Sequence, residues 1–212
     1  MPALIGRNTR LEVESTLDAV KTITAITKAN PGVATSTAHG YTNGDVVVLE
    51  PIAGMTELDG QIVRVANITT NTFELEGIDT TAFGTFTSGS VAKISVWATL
   101  GKARTLTAGS PGLNRLDATV LLDSEKQYDL GPSETPEITV SGLSDPTAAA
   151  SLLVEKAARN GTYLGFRVTM SDNSKRIFRG QMSLPTESIP LNDLVTADFG
   201  ITQRKRRLAY AT

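Results

Sequence analysis

Over short stretches along most of the chain, apolar residues alternate with polar ones, the period of two that marks a strand with one buried face. Leu11 and Val13 alternate this way, and so do Leu116, Ala118, Val120 and Leu122. Both stretches are expected to be half-buried strands. Between Asn30 and Gly89 the texture changes. Turn signals arrive every few residues, at Asn30-Pro31-Gly32, His39-Gly40, Asn43-Gly44-Asp45, Asp59-Gly60, Asn71 and Ser88-Gly89-Ser90. The apolar runs between them are Val46 to Leu49, Ile62 to Val65, Phe73 with Leu75, and Val91 with Ile94 and Val96. They predict a compact β module of about five or six strands, a small barrel or sandwich.

One helix is expected, from Asp145-Pro146 to Asn160-Gly161. Asp can accept an N-cap hydrogen bond, and Pro suits the first helical position because its missing N–H costs nothing there. Ala149, Leu152, Leu153 and Ala157 are expected to face a core, with Glu155, Lys156 and Arg159 pointing away. A hairpin follows. Leu164, Phe166, Val168 and Met170 alternate, Asp172-Asn173 turns the chain, and Phe178, Gly180, Met182 and Leu184 alternate back. Its other face carries Arg167, Thr169, Arg179, Gln181 and Ser183. After Pro185 and Pro190 interrupt the run, Val195, Ala197, Phe199 and Ile201 predict a last strand. Arg204 to Arg207 and the tail Leu208 to Thr212 are expected to be mobile or held only by a neighbour.

Composition agrees with a mainly β fold: aromatic residues make up 5% of the chain, while Thr, Gly and Val recur in short runs. A length of 212 residues accommodates one large domain or two small ones. With 20 Lys and Arg against 22 Asp and Glu, the net charge of -2 implies neither nucleic acid nor a membrane surface as partner. No apolar run approaches the roughly 18 residues that span a bilayer, and MPALIGRNTR lacks a signal-peptide apolar stretch. The chain is therefore expected to be made and first used in the cytosol. The absence of cysteine excludes disulfides, thiolate metal sites and a cysteine nucleophile.

Candidate chemistry is sparse. His39 is the only histidine and sits in an HG turn, so a His-based triad or metal cluster lacks parts and a turn or packing role is expected. Asp117 with Asp123, or Glu74 with Glu76, are the carboxylate pairs that glycoside hydrolysis would need, but surface alternation on strands explains them more simply. Thr107-Ala108-Gly109-Ser110-Pro111-Gly112 lacks the lysine and spacing of a phosphate-binding loop. Arg204-Lys205-Arg206-Arg207 is a basic run open to three readings: an inter-subunit contact, a DNA contact or a solvated end. No catalytic residue, cofactor site or metal site is expected, and the chain is expected not to be an enzyme.

The order of elements from Trp97 to Lys205 resembles the major tail tube proteins of long, flexible-tailed bacteriophages. The matching pieces are the opening strand Gly6-Arg7-Asn8 to Glu14, the stretch Arg115 to Asp123, the strand Ile138 to Gly142 leading into Asp145-Pro146, and the helix and long hairpin. Arg176-Ile177-Phe178-Arg179-Gly180-Gln181-Met182-Ser183, then Ser188 to Val195 and Thr196 to Thr202, is similar to that family's closing strands. Residues 25 to 94 resemble, more densely, the small FCCH-like β domain named from ubiquitin-activating enzymes and also found inside phage structural proteins. The residues that carry this are Ala29-Asn30-Pro31-Gly32-Val33, Ala38-His39-Gly40-Tyr41, Gly44-Asp45-Val46-Val47, Gly54 to Gly60, Asn71-Thr72-Phe73-Glu74-Leu75 and Phe86-Thr87-Ser88-Gly89. Where the phage pattern commonly has Asn and Tyr, this chain has Asp59 and Phe86, which preserve turn and packing roles.

The two resemblances imply a discontinuous tail tube domain, residues 1–24 and 95–212, of β-sandwich or barrel type with one flanking helix, interrupted by an FCCH-like β domain at residues 25–94. They imply a virion protein, assembled in the host cytoplasm, that stacks as hexameric rings into the tube through which DNA passes without specific binding. Its expected partners are copies of itself and the tape measure, tail terminator and baseplate proteins, with no membrane partner. The sheets would line the lumen, the helix would pack outside, and the module would project outward. Arg167 and Arg179 should face a neighbour or the outer helix. Ala103 to Arg115 and Ser124 to Thr135 are expected to gain order by contact with the next ring. The alternatives are a tail terminator or baseplate hub ring on the same scaffold, a carbohydrate-binding adhesin using Trp97 or Tyr41, and an envelope hydrolase.

Overall fold

The computed structural model describes residues 8–109, 112, 115–121, 124–132 and 135–211. Gly6 and Arg7 of the expected opening strand, Ser110, Pro111, Leu122, Asp123 and Thr212 lie outside the described residues. The chain begins with β1 (Arg10–Leu17). The next strands are β2 (Lys21–Ile23), β3 (Ala25–Ile26), β4 (Val33–Thr35), β5 (Val46–Ala53), β6 (Gln61–Ala66), β7 (Thr72–Leu75) and β8 (Ser88–Thr99). Then come β9 (Ala103–Ala108), β10 (Arg115–Asp117), β11 (Tyr128–Leu130), β12 (Glu137–Leu143) and the helix α1 (Ala149–Asn160). The chain continues through β13 (Tyr163–Thr169), β14 (Lys175–Met182), β15 (Thr186–Ser188), β16 (Thr196–Gln203) and β17 (Leu208–Tyr210).

The fold is mainly β. An antiparallel sheet curls into a half-barrel with the strand order β3-β4-β7-β6-β5-β8-β1-β13-β14-β16-β12-β9. β8 is the continuous element: one half pairs with β2 and β5, the other with β1. The boundary drawn from the sequence between residues 94 and 95 therefore falls inside a strand. Register shifts in β1 between Glu14 and Leu17, and in β5 between Leu49 and Ile52, supply the bulges that bend such a sheet.

Two cores flank the β13–β14 hairpin, which forms as its alternation predicts. Phe166 and Phe178 are register partners with rings stacked 5.3 Å apart. They face α1, and with Val13, Ile138, Val140, Ile201, Val154 and Ala157 they form the first core. On the other face Ile177 joins the second core, built on Leu49, Ile62, Val63, Phe73, Leu75 and Val91 of the module. A face that alternation alone leaves to solvent is thus covered within the chain. In β1 this makes Glu12 and Glu14 as buried as Leu11 and Val13, so the strand is buried on both sides, not half-buried.

The helix differs from expectation at its start and in its face. The Asp145 carboxylate accepts a hydrogen bond from the Thr147 hydroxyl at 3.1 Å, and the Asp145 carbonyl accepts from the Ala148 N–H. Those bonds hold a turn, and the helix begins at Ala149 without a side-chain cap. Ala150, Val154 and Ala157 are the buried positions, while Ala149 is exposed and Leu152 is 52% exposed. The end is as expected. Gly161 at φ +65° and Thr162 donate their N–H groups back to Ala158 and Ala157, satisfying carbonyls that the last turn leaves open.

Three further segments depart from the sequence reading. Of the strand expected over Leu116 to Leu122, the described residues form Arg115–Asp117, exposed because among the described residues β11 is its strand partner and no second layer covers it. Ala103–Ala108, expected to lack intrinsic order, is an edge strand on β12. Leu208–Tyr210, expected to be mobile or held only by a neighbour, pairs within the chain with Lys175–Ile177 of β14 and buries Leu208 and Tyr210 in the module's core.

Candidate functional site

The residues the sequence offers for chemistry are spent on structure. The His39 ring is buried, accepts the Tyr41 N–H at Nδ1 (3.0 Å) and lies 3.3 Å from the Thr72 carbonyl at Nε2. It also packs edge-on against Phe73, centroids 5.2 Å apart, which is the packing role expected of it. Glu76 forms a two-pronged ion pair with Arg64, and Glu74 accepts from the Asn67 amide at 2.7 Å. Asp117 accepts from the Thr119 N–H and hydroxyl, which hold its carboxyl below the usual value, and Asp123 lies outside the described residues. Among the described residues no group of three or more His, Asp or Glu is placed to hold a metal ion. Nor is any helix among them long and apolar enough to cross a membrane.

The densest charge chemistry joins the module to the rest of the sheet, and the sequence reading missed it. Glu50 of β5 accepts from Arg179 of β14 and from Arg204, and Arg204 also reaches Asp59 at 2.9 Å. The Arg204 guanidinium lies 4.8 Å from the Tyr163 ring centroid, a cation–π distance. Gly60, at φ +76°, leaves the space this guanidinium fills: a Cβ there would stand 2.6 Å from it. Burial by itself would raise the Glu50 carboxyl, but the hydrogen bonds from Arg204 and Arg179 outweigh it and hold the group below its ordinary value. No local sequence signal marks this set, because its members lie up to 154 positions apart.

Arg167 and Arg179 therefore face the module, on the side of the hairpin opposite the helix. Arg167 pairs with Glu12 at 2.7 Å and covers the Trp97 ring at 4.4 Å. Beside them Glu14 has no cationic partner within ion-pair distance among the described residues. It accepts the Gly165 N–H at 2.8 Å, and burial pushes its carboxyl above its ordinary value despite that bond and the Arg179 charge.

The basic run is also placed. Arg204 is spent as described, the Lys205 ammonium donates to the Thr56 carbonyl at 3.2 Å, and the Arg206 carbonyl accepts from Gln61. The guanidinium groups of Arg206 and Arg207 have no ion-pair partner among the described residues. The run borders a concavity of about 710 Å³ with Ala108, Gly109 and Pro136.

Residues 30–94 match the family model of the ubiquitin-activating enzyme E1 FCCH domain. That match covers under a third of the chain, so the likeness is of this segment and not of the whole protein. No curated protein matches the chain. The FCCH-like segment coincides with β4 to β7 and the first half of β8 and supplies most of the second core, to which Ile23, Ile26, Ile177, Leu208 and Tyr210 add from outside it.

Three surfaces remain unspent. Among the described residues β10 and β11 pair only with each other, in a sheet separate from the main one, with Leu116, Tyr128 and Leu130 between 50% and 70% exposed. Across β9, β12 and β16 the register sets Thr107, Thr139 and Gly200 in one row and Thr105, Ser141 and Asp198 in the next, with Glu137 opposite Thr202. This face is largely exposed; its registered positions carry hydroxyls and carboxylates, and the exposed cation of these strands, Arg104, lies at the β9 bulge opposite Ser141 and Gly142. The segment after β14 exposes Leu184, Ile189, Leu191 and Leu194.

Proposed function

We propose that the protein is a non-enzymatic structural subunit of a bacteriophage tail, assembling as stacked rings into the tail tube. The observation that carries this reading is the uncovered sheet face of β9, β12 and β16. A conduit for DNA needs a wall of continuous backbone hydrogen bonding whose side chains attract phosphates weakly, since each cationic contact adds affinity and therefore friction. Hydroxyls with Glu137 and Asp198 fill the registered rows of such a wall, and Arg104, the single cation within β9, β12 and β16, stands at a bulge outside those rows.

The β10–β11 arm supports the same reading. An isolated two-stranded hairpin is marginal in water, and one that exposes Leu116, Tyr128 and Leu130 gains stability when another surface covers them. The outer edge of β9, unpaired among the described residues, is a further site for pairing between copies. The FCCH-like segment fits as an accessory to the tube body, and it needs no ubiquitin chemistry in a chain without cysteine. The adhesin alternative loses its aromatic platforms, because Tyr41 is 6% exposed and Trp97 lies under Arg167.

Negative-stain microscopy of the purified protein over a range of concentrations tests the proposal. Rings and uniform hollow tubes are the expected outcome. Rings that never extend would favour the terminator or hub alternative, and persistent monomers that bind glycans would overturn the tube in favour of the adhesin.

A further inference from the structure

The two ends of β16 are chemically opposite. Before Thr196, residues 184–194 expose four large apolar side chains between Pro185 and Pro190 and their flanks, and the segment carries Glu187 and Asp193 with no cation. Neither carboxylate is in an ion pair among the described residues; Glu187 accepts from the Ser144 hydroxyl, and Asp193 from the N–H of Leu194. After Gln203 comes the concavity bordered by Lys205, Arg206 and Arg207. β15 sets Glu187 opposite Ala197, so the six strand residues from there to Gln203, at about 3.3 Å each, hold it roughly 20 Å from the concavity, and one molecule cannot join the two.

Resting on the self-assembly proposed above, we infer that residues 184–194 of one copy dock into the 205–207 concavity of a second copy. Their chemistry is matched on two counts. Glu187 and Asp193 meet the unpaired guanidinium groups of Arg206 and Arg207, which favours this orientation and steers the encounter. Ile189 and Leu191 meet Ala108, Pro136 and the aliphatic stems of the basic side chains, which cover apolar surface while their charged heads stay wet. Because the two surfaces are different, the contact is head-to-tail and closes into a ring if its rotation closes. The basic run thereby has a partner that is protein and not DNA.

The test uses two charge-reversed proteins, Arg206→Glu with Arg207→Glu, and Glu187→Lys with Asp193→Lys, each first shown to melt like the wild type. The contact predicts that each alone raises the concentration needed for assembly by about tenfold or more, and that an equimolar mixture restores it. In the mixture every junction pairs an acidic surface with a basic one. Wild-type assembly should also weaken with added salt. If reversal impairs folding, Arg206→Gln with Arg207→Gln gives the same readout as a loss of salt sensitivity. Wild-type assembly with unaffected variants, or no rescue on mixing well-folded variants, overturns the contact and leaves the tube standing. A wild type that never assembles overturns both.

Discussion

Glu14 is a carboxylate placed where a β-strand would ordinarily carry an apolar residue. It is buried because Gly165 opposite has no side chain: a Cβ there would stand 2.9 Å from both the Glu14 carboxylate and Ile62. Burial makes the folded protein bind this proton more tightly than the unfolded chain does. The stability it contributes is therefore complete below the ordinary value of 4.5 and is lost as pH rises through the folded value. Glu50 works in the opposite sense: its contribution is present above its ordinary value and is lost as pH falls through the lowered folded one. Glu14→Gln should flatten the decline in denaturant midpoint on the alkaline side of 4.5 while leaving the acid side, where Glu50 titrates, unchanged. An unaltered slope in the variant would show that folding does not raise the Glu14 carboxyl. The burial of Glu14 was not legible in the sequence, since Leu11, Val13 and their polar neighbours alternate as they would on a half-exposed strand.

At the scale of elements, the hairpin β13–β14 was readable because its apolar alternation and its Asp172-Asn173 turn agree. The turn closes with the Asp172 carboxylate accepting from the Ser174 N–H and hydroxyl, and Asn173 at φ +64°. β17 was not readable, because three residues after a run of cations carry no pattern long enough to register. Its stability comes from where it lands. The Tyr210 hydroxyl accepts from the Arg64 N–H at 3.0 Å and donates to the Glu76 carbonyl at 3.2 Å, and burial pushes the phenol up to about 12. Tyr210→Ala should cost about 3–5 kcal/mol in an equilibrium denaturant titration, as buried aromatic truncations do. Tyr210→Phe should cost only the hydrogen bonds, about 1–2 kcal/mol. Equal, small losses in both would mean that the strand adds little to the folded state. In the helix the apolar residues were identifiable, but packing against Phe166, Phe178 and Val140 turns Ala150, Val154 and Ala157 inward and leaves Leu152 out.

For the whole molecule, the FCCH-like segment does more than decorate the sheet. Its Ile62 and Ile94 approach Gly165, its Glu50 and Asp59 hold Arg204, and its core takes in Ile177, Leu208 and Tyr210. Deleting residues 25–94 should therefore abolish the cooperative thermal melt, because it strips one face of β1, β13 and β14 and leaves those apolar residues bare. A shortened protein that melts as cooperatively as the intact one would show that the body is independent of the segment. On the tube reading, the wall facing DNA is then the part of the sheet the segment leaves uncovered, at β9, β12 and β16.

The sequence by itself determined the β character, the strands of the module, the hairpin, the helix and its glycine stop. Each of these is written in a local period, a turn residue or a cap. Only the tertiary structure decided that β8 runs through both halves, that Glu14 is buried, that Arg204 closes on Glu50 and Asp59, and that β17 seals the module. Those facts depend on contacts between residues far apart in the chain, where no period links one partner to the other. A side chain's solvent exposure is set by the layer that finally lies on top of it.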